Sequence, residues 1–148
     1  MKDRIKFNDA MLAAVMDGRK TQTRRPIDKE TLRLFDIASE AGECFPLGCN
    51  ADEPFERYHL EFFPYGEIGD IINIADKDGN IKGKIEITDV WLQQVNDISE
   101  SDAKAEGFDG KLNSCTSDFA AVWIGVYGID SWINNEWVWV IEFKKVER

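Results

Sequence analysis

The residues best suited to chemistry lie in one short segment, residues 18–25, which reads Gly-Arg-Lys-Thr-Gln-Thr-Arg-Arg. Four of its eight side chains are cationic, in a chain whose formal net charge is −10, and two are threonine hydroxyls. Cations and hydroxyl donors that converge on one point can bind a phosphate or a polarised carbonyl group. We therefore take Arg19, Arg24 and Arg25 as candidate ligand-binding residues.

Lys20 and Thr23 form a candidate pair of general base and nucleophile. A threonine hydroxyl is a weak nucleophile at neutral pH and needs a base, a role that a neutral lysine can fill. A lysine in water has a pKa of about 10.4 and stays charged, but burial or neighbouring arginines would lower that pKa. The alternative is a solvated basic loop, whose cations are favourable near the end of a helix. The residues alone leave both interpretations open.

Hydrophobic periodicity predicts the elements that would position this segment. Asn8 is a candidate N-cap for a helix over residues 9–17, Gly18 would end that helix, and residues 20–25 alternate as a short strand or extended loop. Further strands are predicted at residues 4–7, 58–63, 71–75, 81–95 and 137–146, and further helices at residues 29–40, 100–106 and 116–127. This pattern predicts an α+β fold, in which antiparallel strands close into a small barrel flanked by short helices.

Length and composition predict a single globular domain. The 148 residues are 43% hydrophobic and 31% charged, which is ordinary for such a domain. The apolar runs are too short to span a membrane, and the first residues do not read as a signal peptide, so we expect a cytoplasmic protein without membrane partners. The acidic net charge disfavours broad binding to nucleic acid but is compatible with a small basic cleft.

The cysteines and the single histidine give little support for a metal site. Cys44 and Cys49 are spaced loosely for a zinc site, and only His59 could add a nitrogen ligand. Three cysteines, with Cys115 as the third, also argue against a secreted disulfide framework. We predict reduced thiols, a structural His59, and neither a metal nor a cofactor.

Five ordered stretches of the chain together resemble the ASCH domains, which are small PUA-like β-barrels linked to RNA and modified nucleosides. They are the Gly-x-Lys-x-x-Thr-x-Arg string at residues 18–25, Gly69-Asp70 before a strand, a central strand at residues 85–90, the Ala-x-x-Glu-Gly string at residues 103–107, and a closing strand at residues 137–143. The chain is also similar to phage and prophage proteins of this superfamily. The resemblance implies one ASCH/PUA-like domain over residues 1–148, with an insert at about residues 26–68.

The resemblance also implies roles for individual residues. Compact bacterial members of the family hydrolyse the acetyl amide of N(4)-acetylcytidine with a lysine, a threonine and a glutamate. The matching positions here are Lys20 as base, Thr23 as nucleophile and Glu106 as their carboxylate partner. Arg25 would hold an anionic or carbonyl group of the ligand. Without the resemblance, Glu106 is a carboxylate at a helix end with no special role.

Aromatic residues offer a further means of holding a base. Tyr65 lies in a Pro-Tyr-Gly turn, where its ring could stack on a base or nucleoside in a cleft. The five tryptophans are instead expected to fill the core and its contacts with helices.

Two function classes therefore remain, with a third that has weaker support. An amide hydrolase of acylated pyrimidine nucleosides requires a closed pocket with Lys20, Thr23 and Glu106 within hydrogen-bonding reach. A non-catalytic module for RNA, a nucleoside or a nucleotide requires an open groove beside the arginines and an affinity that falls with salt. A ribonuclease is weaker because the sequence offers no convincing histidine pair. Two features depart from the family pattern: the insert, and the string Ile71–Ala75 where related phage proteins have a charged string. They favour binding in the cleft and leave catalysis open.

Overall fold

The computed structural model describes residues 3–40, 60 and 62–146, apart from the side chains of residues 38 and 39. The described strands are β1 (Arg4–Lys6), β2 (Gln22–Pro26), β3 (Ile71–Ala75), β4 (Ile81–Gln94) and β5 (Trp137–Lys145). The described α-helices are α1 (Asp9–Met16), α2 (Lys29–Glu40), α3 (Glu100–Ala105), α4 (Cys115–Tyr127) and α5 (Ile129–Ile133). A 3-10 turn at Val95–Asp97 links β4 to α3.

The strands form one five-stranded sheet in the order β1-β3-β4-β5-β2. β1 runs parallel to β3, and the other neighbours are antiparallel. The predicted α+β class is confirmed, but the predicted closed barrel is not, because β1 and β2 are unpaired edges of an open sheet within the described part of the chain. Instead of backbone pairing, the Arg25 guanidinium on β2 donates one hydrogen bond to the Lys6 carbonyl on β1, at 2.8 Å.

The core is organised around β5, which is buried on both of its faces. Trp139, Ile141 and Phe143, at alternate positions, face one apolar cluster. Val138 and Val140 face a second cluster against α4. Apolar residues at consecutive positions of one strand are typical of a strand that is covered from both sides.

The basic segment is fixed by local signals that the sequence carries. The Asn8 side chain accepts a hydrogen bond from the Met11 amide at 2.9 Å, which confirms the predicted N-cap of α1. Gly18 has a φ of 85°, in the left-handed region, and ends the helix as predicted. The Thr21 amide then donates to the Ala105 carbonyl, and its carbonyl accepts from the Phe143 amide. These bonds hold the start of β2 between α3 and β5.

The helices α3 and α4 begin at side-chain caps and differ only slightly from prediction. Ser99 caps α3 through the Asp102 amide at 3.0 Å, and Ser114 caps α4 through the Ser117 amide at 3.2 Å. The five-residue helix α5 was not predicted, because so short an element carries little periodicity. The predicted strand at residues 58–63 is wrong where it is described, since Leu60 and Phe62 lie in 3-10 conformation.

Several predictions concern residues that lie outside the described ranges. Cys44, Cys49 and His59 are among them, so the predictions for these side chains stay predictions. The insert at residues 26–68 also stays a prediction, although its described part contains α2. Among the described residues, no helix is long and apolar enough to cross a membrane, and no three side chains form a group able to hold a metal ion.

Candidate functional site

A cavity of about 320 Å³ lies beside the basic segment, where β1, β2, α3 and α4 meet. Its polar lining comes from the β1 end, the basic segment, the β3–β4 turn and the end of α3: Lys6, Asn8, Lys20, Thr23, Arg24, Arg25, Lys77 and Glu106. Its apolar lining comes from the residue after β1, from α1, from the loop after α3 and from one face of α4: Phe7, Met11, Phe108, Phe119, Val122, Trp123, Val126 and Tyr127. Apolar walls with a few convergent polar groups are typical of small-molecule sites.

A buried ion pair forms the floor of this cavity. The Lys20 ammonium donates to a Glu106 carboxylate oxygen at 2.7 Å and to the Glu106 backbone carbonyl at 2.9 Å. Lys20 is only 3% exposed and Glu106 only 4%. Gly107 allows this approach, because it has a φ of 115° and a side chain there would lie 3.2 Å from the Ala14 side chain. The pair thus joins the segment after α1 to the end of α3.

Arg24 extends the pair into a buried cluster. Its guanidinium donates to the second Glu106 oxygen at 3.0 Å, and it lies 3.4 Å from Asp102. It also donates to the side-chain oxygens of Gln22 and Gln93, each at 3.0 Å. Four of its five N–H groups therefore have protein acceptors. Although Arg24 borders the cavity, its side chain mainly orients Glu106 and leaves little capacity for a ligand.

The environment of Lys20 favours its neutral form more than water does. Burial lowers the pKa of the Lys20 ammonium below its ordinary value of 10.5, and this effect outweighs the opposing pull of Glu106. The nearby charges of Arg25 and Arg24 lower the pKa further. This is the direction that a lysine base requires.

Thr23 and Arg25 form a second polar pair in the same cavity. The Arg25 Nε–H donates to Thr23 Oγ1 at 3.3 Å. Thr23 is 3% exposed, and the Arg25 guanidinium lies over the Phe7 ring, 5.0 Å from its centre. Within the described part of the chain, no hydrogen bond joins Thr23 to Lys20. The threonine oxygen therefore accepts from an arginine, while its own proton is not committed to that bond.

The structure thus gathers most of the site residues suggested by the sequence. Five of them line the same cavity: Lys20, Thr23, Arg24, Arg25 and Glu106. The other two suggested residues are not part of its lining.

Arg19 and Tyr65 lie elsewhere. Arg19 is exposed and paired with Asp17 at 2.8 Å. Tyr65 is 8% exposed and packs against Phe63 in the core, with ring centres 5.6 Å apart. The Pro-Tyr-Gly turn directs the Tyr65 ring into the core, because burial in the apolar cluster around Trp139 is more favourable for the ring than exposure to solvent.

Sequence reasoning missed the aromatic wall and two of the lining cations. Phe119 and Trp123 lie on the buried face of α4, but the sequence did not show that this face also covers a cavity. Tyr127, one turn further on, stacks near Trp123 with ring centres 4.3 Å apart. Lys6 and Lys77 are far apart in the chain and carry no motif, so only the pairing of β1 with β3 brings them to one place.

Comparison with known proteins identifies the class to which this architecture belongs. The chain has the ASCH-type, PUA-like fold. Protein EF3133 from Enterococcus faecalis V583, of the DUF984 family, superposes with a TM-score of 0.57 at 19% identity, over 99% of this chain and 77% of that chain. The ASCH domain from Lactobacillus crispatus JV V101 gives 0.55 at 15% identity, over 93% and 70%.

A third solved structure, the hypothetical protein PH0355, gives a TM-score of 0.52 at 14% identity, over 99% of this chain and all of that chain. No protein-family model matches the chain, and no curated protein matches its sequence. At these identities the likeness shows the fold, so the resemblance drawn from the five sequence stretches is confirmed at the level of the fold. The chemistry of the site has to be argued from its own residues.

Proposed function

We propose that the cavity binds one modified nucleoside, free or at an exposed position of RNA. The observation that carries this proposal is the pairing of aromatic walls with a buried Lys20–Glu106 floor in a space of about 320 Å³. That volume is near the lower end of the ~300–1,000 Å³ typical of small-molecule pockets. The aromatic faces would stack on the base, and the floor would offer donors and acceptors to its edge.

The shape of the cavity favours one nucleoside over a long strand. Helix α4 covers one side of the space with Phe119 and Trp123, and the Trp123 ring is fixed by a hydrogen bond to Ser131 at 3.0 Å. An open groove for a strand would instead need a continuous basic surface, which a chain of net charge −10 does not favour. Cytoplasmic location and an origin in a phage or prophage stay predictions.

A second candidate function is hydrolysis of the acetyl amide of a nucleoside such as N(4)-acetylcytidine. It is favoured by the lowered pKa of Lys20 and by the presence of Lys20 and Thr23 in the lining of the same cavity. Thr23 Oγ1 would attack the acetyl carbonyl while Lys20 accepts the threonine proton, and the amide C–N bond would break as the amino group takes up a proton. Water would then hydrolyse the threonine ester to acetate. Arg25, already donating to Thr23 Oγ1, would stabilise the developing charge.

One experiment separates binding from hydrolysis. We would incubate the protein with N(4)-acetylcytidine, follow cytidine by chromatography and measure binding by calorimetry. A binding site alone gives a measurable affinity and no cytidine, whereas the hydrolase gives cytidine that disappears in both Lys20→Ala and Thr23→Ala. Thr21→Ala is the matched control for Thr23→Ala, because Thr21 is exposed and bonds through its backbone. If the wild type shows no binding and no turnover, the proposal is overturned.

A further inference from the structure

Three cations, Lys6, Arg25 and Lys77, line the cavity from three separate segments of the chain. Lys6 ends β1 opposite Ala75 of β3, and the next amide, that of Phe7, donates to the Ala75 carbonyl at 2.9 Å. The chain then turns, which places Lys77 two residues beyond Ala75. Arg25 of β2 reaches the same place, where its guanidinium donates to the Lys6 carbonyl. We call Lys6, Arg25 and Lys77 the cationic rim.

The cationic rim is distinct in charge from the floor of the cavity. Lys20 and Arg24 are compensated by Glu106, which is the one carboxylate among the described residues that line the cavity. Within the described ranges, none of the three rim cations has a carboxylate oxygen within 4.0 Å. A local excess of positive charge in a chain of net charge −10 attracts an anion and is not a general feature of this surface.

The Phe7 ring sets how the floor and the rim are arranged. The Lys20 ammonium lies 5.9 Å from the centre of this ring, and the Arg25 guanidinium lies 5.0 Å from it. Both cations lie against one buried ring, so Phe7 places Lys20 of the floor and Arg25 of the rim next to each other. A ligand that reaches from one to the other therefore carries a neutral, polar part at the floor and an anionic part at the rim.

We propose that the cationic rim is a phosphate subsite and that the ligand is a nucleoside monophosphate. This inference rests on the proposed function, because it assumes that the base occupies the floor. A phosphate monoester carries a charge of about −1.5 to −2 at neutral pH and accepts several charge-assisted hydrogen bonds. Two exposed lysines and a partly buried, fork-shaped guanidinium provide the matching donors.

The test compares N(4)-acetylcytidine with its 5′- and 3′-monophosphates by calorimetry at low ionic strength. We expect one monophosphate to bind the wild type at least about tenfold more tightly than the nucleoside. In Lys6→Ala/Lys77→Ala that advantage falls to about twofold, while the affinity for the nucleoside is unchanged. Both lysines are exposed, so the variant retains the core.

The matched control is Lys82→Ala/Lys84→Ala. These lysines lie on β4, in the same hairpin as Lys77, and line a different cavity beside Ile71 and Ile81. Their removal takes away the same net charge, and we expect the monophosphate advantage to persist. An equal loss in this control would assign the effect to overall charge and overturn the subsite.

The remaining outcomes distinguish this inference from the function on which it rests. Equal affinities of wild type for the nucleoside and both monophosphates would overturn the phosphate subsite and leave the proposed function standing. Failure of the nucleoside and both monophosphates to bind would overturn the function as well. Tighter binding of a short single-stranded RNA than of either monophosphate would overturn the commitment to a mononucleotide.

Discussion

Glu106 compensates two buried cations at once, because one of its carboxylate oxygens binds Lys20 and the other binds Arg24. The side chains of these cations are 2% and 0% exposed, so neither can use water in place of the carboxylate. Removing one partner of a buried ion pair leaves an uncompensated charge, which typically costs about 3–5 kcal/mol. Removal of Glu106 should therefore cost more stability than removal of either of its two partners.

The first prediction compares Glu106→Gln with Lys20→Met. Among the described residues, Glu106→Gln leaves the buried Lys20 without a carboxylate and the buried Arg24 with Asp102 at 3.4 Å, and we expect a loss of about 3–5 kcal/mol in the free energy of unfolding. Lys20→Met leaves Glu106 paired with Arg24, so the loss is smaller. Urea unfolding followed by tryptophan fluorescence measures both. A larger loss for Lys20→Met would contradict the assignment of Glu106 as the centre of the cluster.

The second prediction concerns pH and Lys20. Burial lowers the pKa of this ammonium in the folded chain from 10.5, so the unfolded chain binds more protons between the lowered pKa and 10.5. Its contribution therefore makes the folded state more stable as pH rises through that window. We expect the stability of the wild type relative to Lys20→Met to increase up to about pH 10. Lys104→Met, at an exposed position of α3, is the matched control.

At the scale of elements, the cavity depends on the position of α4. Contacts from α3 hold α4 in that position. The Glu100 carboxylate of α3 accepts from the Cys115 amide at 2.7 Å and from the Thr116 amide at 3.1 Å, both in the first turn of α4. Such amides have no partner within their own helix, and a carboxylate there also complements the helix dipole. The same contact joins the first turn of α3, whose other end carries Glu106, to the wall that carries Phe119 and Trp123.

The third prediction is that Glu100→Gln loosens this wall. The α4 amides lower the pKa of the Glu100 carboxyl below 4.5, so its stabilising effect is fully present above pH 4.5 and is lost as pH falls through the lowered pKa. We expect a lower urea midpoint at neutral pH, weaker nucleoside binding, and a difference from wild type that vanishes in acid. Glu136→Gln is the matched control at an exposed position. An undiminished difference in acid would rule out the carboxylate as the cause.

At the scale of the whole molecule, charge acts in opposite directions on folding and on binding. A formal net charge of −10 repels itself in the folded state, whereas the cationic rim attracts an anion. The buried cluster is screened by salt much less than surface charges are. Stability and ligand affinity should therefore respond to ionic strength with opposite signs.

The fourth prediction tests that opposition with sodium chloride. Between about 0.01 M and 0.15 M the Debye length falls from about 30 Å to about 8 Å. We expect the thermal midpoint of the free protein to rise over this range, because self-repulsion is screened, and the affinity for a nucleoside monophosphate to fall. Affinity for the uncharged nucleoside provides the reference and should change little. A monophosphate affinity that rises with salt would contradict a cationic rim.

Much of this arrangement could be read from local sequence, since its causes are local. The cap at Asn8, the stop at Gly18 and the apolar run of β5 all follow from residue types close together in the chain. Lys20, Thr23 and Arg25 were found because they share one short string. Glu106 was found only through the family resemblance, because a carboxylate at a helix end has no local signature.

The sequence by itself therefore determined the α+β class, most of the element boundaries and the segment that carries the basic chemistry. Only the tertiary structure decided that the sheet stays open, that Arg24 is taken up by Glu106 and Asp102, and that Lys6 and Lys77 join Arg25. The physical reason is that helix caps and strand alternation depend on residues a few positions apart. The protonation of Lys20 and its pairing with Glu106 depend instead on burial and on a contact between residues 86 positions apart in the chain.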